Sequence, residues 1–324
     1  MAVKLFLART FHTVERVIDA LKRVSLPSSS VIDCYGGYTA SDHIVVRGRV
    51  LVSERMTSGN GRQSRWQNFK DFLQLFFTDE LQDVTVTAPA YDVTTRSDEE
   101  GFFVLAVPRR EQVPSSIKVS AEGMEHPLAV PVYSSENAAF GVISDIDDTV
   151  LRTGAFSLIK NLWTSATGNV HEREVFPDAI ELMKSLAGEG ASFFYVSSSP
   201  WNLYDYLQSI FARTELPLGP FFLRDLGISP TQFITGTHGD HKTDAIERIL
   251  AANPQLPFTL IGDTGQHDPH IYADIVSRYP NQVVRVILRR AGTKPLSEVV
   301  KADVVIIENA GVSASVVQDY RALT

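Results

Sequence analysis

Four short stretches of this chain hold the residues best suited to do chemistry. The first is Asp145-Ile146-Asp147-Asp148-Thr149, directly after the apolar run Phe140–Ser144. Carboxylates at the end of a buried strand are costly unless a cation compensates them. Mg²⁺ is such a cation and prefers hard oxygen ligands. A carboxylate can also attack phosphorus and give an acyl phosphate. Asp147, two residues on, can lean back over the same place as general acid and then general base. The competing reading is a solvated acidic turn.

The second stretch is Ser197-Ser198-Ser199-Pro200, after the apolar run Phe193–Val196. Hydroxyls and free amides at a helix start form an anion site. Ser197 is best placed to hold a phosphoryl oxygen, and Ser199 reads as an N-cap. The third is His238-Gly239-Asp240-His241-Lys242. A lysine here can neutralise nucleophile and phosphate during transfer, although single lysines are usually surface charges. The spacing of His238 and His241, with no Cys or His partner, argues against zinc. The fourth is Gly262-Asp263-Thr264-Gly265-Gln266-His267-Asp268, after Phe258–Ile261. Asp263 is the natural metal ligand there, and Asp268 binds through water or orients the ligand shell. Thr149, Ser198, Ser199 and His241 are expected to meet the substrate. The metal set is expected among Asp145, Asp147, Asp263 and Asp268. Each stretch alone has a bland explanation, but their joint placement at strand ends and helix starts gives a nucleophile, a phosphate holder, a charge neutraliser and a metal site.

The elements around these residues follow from periodicity. After about residue 138, strands alternate with helices: strands at 140–144, 193–196, 258–261 and 283–288, and helices at 177–186, from Pro200, and at 244–252. This order implies a parallel, doubly wound α/β sheet, which binds ligands at the carboxyl ends of its strands. From about 31 to 135 the chain reads instead as short strands: 43–52, 83–87, 91–95, 101–107, 116–121 and 128–132. Asp98-Glu99-Glu100-Gly101 reads as a hairpin turn, and the whole as a β-sandwich. A helix is expected at 64–77. Another, amphipathic, is expected at 3–24, where Val3, Leu7, Phe11, Val14, Ile18 and Leu21 form one stripe. That stripe suits packing on the fold or lying on an anionic membrane surface. Pro27-Ser28-Ser29-Ser30 follows as a linker. The expected division is residues 1–138 as an accessory unit and 139–324 as a catalytic α/β domain.

The bulk composition sets limits. With 324 residues, 44% hydrophobic and 21% charged, the chain is of ordinary globular type and needs no disulfide for a core. Its single cysteine, Cys34, fits a reducing compartment and reads as a buried strand residue. The formal net charge of −8 disfavours generic nucleic-acid binding. Lys4 and Arg9 interrupt the first apolar stretch, so no secretory signal is expected, and no apolar run approaches membrane-spanning length. The expected location is cytoplasmic, with possible peripheral membrane contact.

At the four stretches the sequence resembles the haloacid dehalogenase superfamily. Asp145, Asp147 and Thr149 match its Asp-x-Asp-x-Thr motif, Ser197 its strand-end Ser or Thr, Lys242 its lysine, and Asp263 with Asp268 its acidic loop. The resemblance implies that Asp145 is the nucleophile and Asp147 the acid/base, with Mg²⁺ bound by Asp145, the Asp147 carbonyl and Asp263. A closer similarity is to the yeast actin-patch type of phosphatidate phosphatase and its bacterial relatives. It is carried by 144–149, 195–204, His241-Lys242 and 262–269, and more loosely by Gly48-Arg49-Val50 and the turn at 98–103. It implies hydrolysis of phosphatidate to diacylglycerol. The long tail of the yeast type has no counterpart here, which favours the bacterial relatives, whose substrate need not be the same lipid.

Only about 27 residues separate Thr149 from Pro177, too few for a large cap domain. The segment 156–163 is either a short lid for acyl chains or packs on the core domain. Two other functions compete: a phosphatase of a soluble phosphomonoester, and a binding module whose β region docks to a membrane or protein beside a vestigial acidic site.

Overall fold

A computed structural model describes residues 30–52, 80–152, 175–224, 238–293 and 295–323. The expected helices at 3–24 and 64–77, most of the linker at 27–30, and the lid at 156–163 lie outside the described residues.

The C-terminal part is a parallel sheet of six strands: β8 (Phe140–Asp145), β9 (Ala191–Pro200), β10 (Phe221–Arg224), β11 (Phe258–Asp263), β12 (Val283–Arg289) and β13 (Ser313–Val317). Its order is β10-β9-β8-β11-β12-β13. Among the described residues, five helices cover it: α1 (Pro177–Gly188), α2 (Tyr204–Thr214), α3 (His238–Ala252), α4 (Asp268–Arg278) and α5 (Glu298–Asn309). Strands buried on both faces need apolar runs. Phe258–Asp263 is accordingly buried at every position. Leu182, Met183 and Leu186 of α1 and Leu207, Ile210 and Phe211 of α2 share one core. Ile246, Ile249 and Leu250 of α3, Ile271 and Ile275 of α4, and Ile307 of α5 share the other. The sheet is therefore doubly wound, as its alternating pattern predicts. Strand order reverses between β8 and β11, which is where such sheets open a crevice at their carboxyl ends.

The N-terminal strands are β1 (Val31–Thr39), β2 (His43–Leu51), β3 (Thr85–Ala88), β4 (Val93–Arg96), β5 (Phe102–Pro108), β6 (Ser116–Ala121) and β7 (Leu128–Tyr133). They form one sheet, in the order β4-β3-β6-β7-β1-β2-β5, rather than the two sheets of a sandwich. All pairings in it are antiparallel except β1 with β7. Alternate residues Ile44, Val46 and Val50, Phe103, Leu105 and Val107, and Ile117 and Val119 meet in a single core. The turn at 98–101 forms, with Gly101 N donating to Asp98 O at 3.0 Å, but it does not make a hairpin. β4 pairs with β3 and β5 with β2. The turn instead joins the two edge strands, so the sheet curls until its inner face closes on itself.

β1 carries the junction between the two sheets. A bulge between Cys34 and Gly37 places Gly36 at φ 77°, a conformation that glycine adopts without strain. Tyr35, beside it, stacks on Trp201 with centroids 4.1 Å apart and meets Tyr204 edge-on at 5.2 Å. Arg47 of β2 donates to the Phe221 carbonyl at 2.9 Å and lies over the Phe222 ring. Trp201 follows Pro200 directly, so the N-terminal sheet braces the segment that begins at Ser197. Cys34 is half-buried in β1, and burial pushes its thiol up to about 11, the behaviour of an inert thiol.

Candidate active site

β8 carries Asp145 to the crevice. Past it the chain turns sharply: Asp148 adopts φ 57°, Val150 N and Leu151 N both return to Ile146 O, and Asp148 N donates to Leu151 O. Asp is among the few side chains that tolerate this left-handed region. The turn folds Asp147 back beside β9.

There its carboxylate meets the serines. Ser197 Oγ donates to Asp147 Oδ2 at 2.8 Å and Ser199 Oγ to the same oxygen at 2.9 Å. Ser199 is therefore not an N-cap. The short helix Trp201–Leu203 starts after Pro200, with no side-chain cap. β9 continues through Pro200, so the serines stand on the strand itself and reach sideways to the neighbouring loop. Ser197 is fully buried, whereas Ser198 lines an open cavity of about 230 Å³ with Lys242, Gly265, Gln266 and His267. Of the three serines, Ser198 is the one on open space.

Lys242 lies inside α3, which begins at His238 rather than Asp244. It is 4% exposed. Its ammonium donates to Asp268 Oδ1 at 2.6 Å and lies 2.8 Å from Asp145 Oδ1. The second contact is an ion pair without hydrogen-bond alignment. Both carboxylates hold Lys242 firmly in its charged form, with its pKa above the ordinary lysine value. His241 is half-buried and hydrogen-bonded to the Phe222 backbone. It is not among the residues lining the cavity. Burial lowers its pKa.

Asp263 ends β11. Gly265 N and Gln266 N donate to its Oδ1 at 2.5 and 3.1 Å. Asp268 opens α4 and is fully buried. Its Oδ2 accepts from Asp263 N at 3.2 Å. That approach requires glycine at 262, because a Cβ there would lie 2.5 Å from Asp268 Oδ2 and 2.8 Å from the Tyr272 hydroxyl. Thr149, also fully buried, donates to Asp145 Oδ2 at 3.3 Å. It orients that carboxylate and has no surface to offer a substrate.

Asp145, Asp263 and Asp268 each present an oxygen within 4.8 Å of the others. Both Asp268 oxygens are already engaged, however, by Lys242 and by Asp263 N. Among the carboxylates of the crevice, the buried oxygens without a hydrogen-bond partner are Asp145 Oδ1, Asp147 Oδ1 and Asp263 Oδ2. Orphaned buried oxygens normally signal a missing partner. Asp263 Oδ2 therefore fits a hard cation better than either Asp268 oxygen does, and Asp145 Oδ1 fits it while also facing the Lys242 ammonium at 2.8 Å. One ammonium cannot neutralise four carboxylates, so burial and mutual repulsion act on the rest. Burial raises Asp145 well above the usual carboxylate range; Lys242 opposes this, and Asp268, Asp147 and Asp263 add to it. Burial also raises Asp147, against the two serine hydroxyls. It raises Asp263 to about 7, with Asp268 adding.

These directions predict a pH dependence. Folded carboxyls with raised pKa hold protons that the unfolded chain has lost, so the native state binds more protons. For Asp263 the window runs from the ordinary aspartate value of 3.8 to about 7. The resulting stabilisation is complete below that window and disappears as pH rises through it. In a chelator, the melting temperature is expected to fall from about pH 5 to about pH 7.5. Excess Mg²⁺ is expected to abolish the fall, as thermal melts at matched pH would show.

Three residues of the site escape a reading by motif. Gln266 Nε2 donates to the Asp147 carbonyl at 3.1 Å. Arg289 and Asp178 form a buried pair at 2.8 Å behind Thr149. A charged residue in the apolar strand Val283–Arg289 was the available signal for the pair.

Residues 140–290 match the family model described as phosphatidate phosphatase APP1, catalytic domain. The phosphatidate phosphatase APP1 of Saccharomyces cerevisiae is 27% identical over 211 residues, 60% of this chain and 35% of that protein. An uncharacterized protein of Schizosaccharomyces pombe is 24% identical over 231 residues, 67% of this chain and 37% of that protein. The chain thus spans little more than a third of the curated relatives it matches. A solved PilB minor pilin mutant from Streptococcus sanguinis aligns at 9% identity and a TM-score of 0.29, covering 75% of this chain and 85% of that one, which bears on neither fold nor function. Every acidic and serine residue of the crevice lies inside the segment, residues 140–290, that is similar to the APP1-type phosphatidate phosphatase catalytic domain.

Proposed function

We propose that this chain hydrolyses phosphomonoesters through an aspartyl-phosphate on Asp145, with Mg²⁺ as cofactor and phosphatidate as substrate. Residues 139–324 form the catalytic unit of this reading and 1–138 the accessory unit. The observation that carries it is the convergence of Asp145, Asp147, Lys242 and Asp263, from the ends of two strands and a helix, around buried oxygens that lack a hydrogen-bond partner.

Asp145, Asp263 and the Asp147 main chain would hold Mg²⁺, which would supply charge neutralisation for phosphoryl oxygens. The chain's own groups do the rest. An Asp145 oxygen attacks phosphorus as the bond to the ester oxygen breaks. Asp147 delivers a proton to that oxygen, and diacylglycerol leaves neutral. Because Asp147 Oδ2 accepts from two hydroxyls, its proton belongs on Oδ1, the oxygen without a partner. Asp147 then removes a proton from water as that water attacks the phosphorus of the acyl phosphate. This releases inorganic phosphate and restores Asp145. Lys242 balances the charge of Asp145 and the transferring group, Asp268 holds Lys242, and Ser198 contacts the phosphoryl group from the cavity.

A cavity of about 230 Å³ holds a phosphoryl head group but not two acyl chains, so the tails of phosphatidate stay outside it, in a bilayer. No helix of the described residues is long and apolar enough to cross a membrane, so lipid would be met from the surface. The same small cavity admits a soluble phosphomonoester. Phosphate release from phosphatidate in mixed micelles is expected to exceed that from sugar phosphates and nucleotides. Turnover of small esters without any of the lipid would overturn the substrate assignment.

A further inference from the structure

The two loops that present Asp145 Oδ1 and Asp263 Oδ2, neither of which has a hydrogen-bond partner, are joined by one residue, Arg289. It ends β12 and is 5% exposed. Its Nε donates to the Thr149 carbonyl at 3.1 Å, and Thr149 in turn bonds the Asp145 carboxylate. Its own carbonyl accepts from Thr264 N at 2.9 Å, immediately after Asp263. The side chain therefore holds one acidic loop and the main chain holds the other.

The guanidinium is itself fixed on every side. Nη1 donates to Gln318 O at 3.1 Å and Nη2 to Asp178 Oδ2 at 2.8 Å. Asp178 Oδ2 also accepts from Tyr320 N at 2.7 Å. The Phe176 and Tyr320 rings each lie 4.0 Å from the guanidinium carbon. Three divergent hydrogen bonds from one plane, packed between two rings, require arginine. Lysine has a compact, flexible ammonium and no fork.

The geometry points to Arg289 as a positioning residue that fixes the spacing of the Asp145 and Asp263 loops and thereby sets the affinity of the acidic crevice for a divalent cation. The inference rests on the proposed function above. Mg²⁺ requires near-ideal octahedral geometry at about 2.0–2.1 Å. A shift of a few tenths of an ångström between the loops is therefore tolerated by the fold but not by the ion. The Arg289–Asp178 pair with its ring sandwich lies behind the cluster, on the side of α1 and the C-terminal segment, and touches neither the cavity nor a carboxylate of the crevice.

The test is Mg²⁺ titration calorimetry on the full chain, with circular dichroism confirming the fold. Wild type, Arg289→Lys, Asp178→Asn and a remote core control, Ile307→Ala, are compared. Arg289→Lys is expected to bind Mg²⁺ about ten- to a hundredfold more weakly, in the range for residues that orient metal ligands. Asp178→Asn, which keeps an acceptor, is expected to show a smaller loss. Ile307→Ala is expected to lower the melting temperature and leave Mg²⁺ affinity unchanged. Wild-type Mg²⁺ affinity in folded Arg289→Lys would overturn the inference. If that variant does not fold, unchanged affinity in Asp178→Asn does so. An equal loss of affinity in Ile307→Ala would reduce the effect to general destabilisation and also overturn it. No Mg²⁺ binding by the wild type would overturn the cofactor assignment itself, a result distinct from the others because it appears without any substitution.

Discussion

Asp145→Asn is expected to lower phosphatase turnover on the order of 10⁴-fold or more, the scale for removing a nucleophile, while the protein stays folded. Asparagine keeps an acceptor for the Thr149 hydroxyl, which now meets Asp145 Oδ2 at 3.3 Å. It removes a buried carboxylate that Asp268, Asp147 and Asp263 all repel. Lys242 retains Asp268 at 2.6 Å. In a chelator the variant should therefore melt at or above the wild-type temperature, which separates loss of chemistry from loss of structure. Turnover near the wild-type rate would mean that another group attacks phosphorus.

Lys242→Met carries the second large effect, with the opposite signature. Lys242 is the cation touching both Asp145 and Asp268, and all three are at most 4% exposed. Removing one partner of a buried ion pair typically costs about 3–5 kcal/mol, because the other charge remains unpaired. A loss of that size is expected in urea unfolding near neutral pH. It should shrink toward acid, where Asp145, already raised by burial, takes up a proton and no longer needs the ammonium. Turnover is expected to fall by about 10²–10³, as for loss of one preorganised electrostatic contact. A variant as stable as the wild type at neutral pH would show that the crevice does not depend on Lys242 for charge balance.

The contrast between these variants reflects the arrangement of charge. The crevice gathers four carboxylates around one ammonium and leaves three of their oxygens without a hydrogen-bond partner, one of them, Asp145 Oδ1, held only by the Lys242 charge. Such a cluster is unfavourable in isolation and becomes favourable with a divalent ion in place. The cost is carried by the doubly wound sheet: β8 and β11 are adjacent at the point where strand order reverses, and both end in aspartate.

Much of this was legible in the sequence for a local reason. Asp145, Ser197 and Asp263 end or follow apolar runs short enough to be buried strands, so a polar residue at that point marks the crevice. Lys242 was legible as a site residue, although α3 starts earlier than its apolar pattern suggests. The missed features depend on distant partners or irregular backbone. β1 was hidden by Gly36 and Gly37, whose bulge breaks the two-residue period. The turn at 98–101 was legible as a turn, but which strands it joins depends on pairing with β2 and β3, far away in the chain. Thr149 and Ser199 looked like substrate or capping hydroxyls because their actual acceptors, Asp145 and Asp147, are fixed only by the fold. Arg289 and Thr149 are 140 residues apart, and no local pattern joins them.

The central claim is covalent capture of phosphorus by Asp145, and a rapid acid quench during turnover of phosphatidate labelled in its phosphate tests it most directly. The expected result is label on the peptide containing Asp145, released by hydroxylamine as an acyl phosphate should be. Release of labelled phosphate with no labelled protein at any quench time would contradict it.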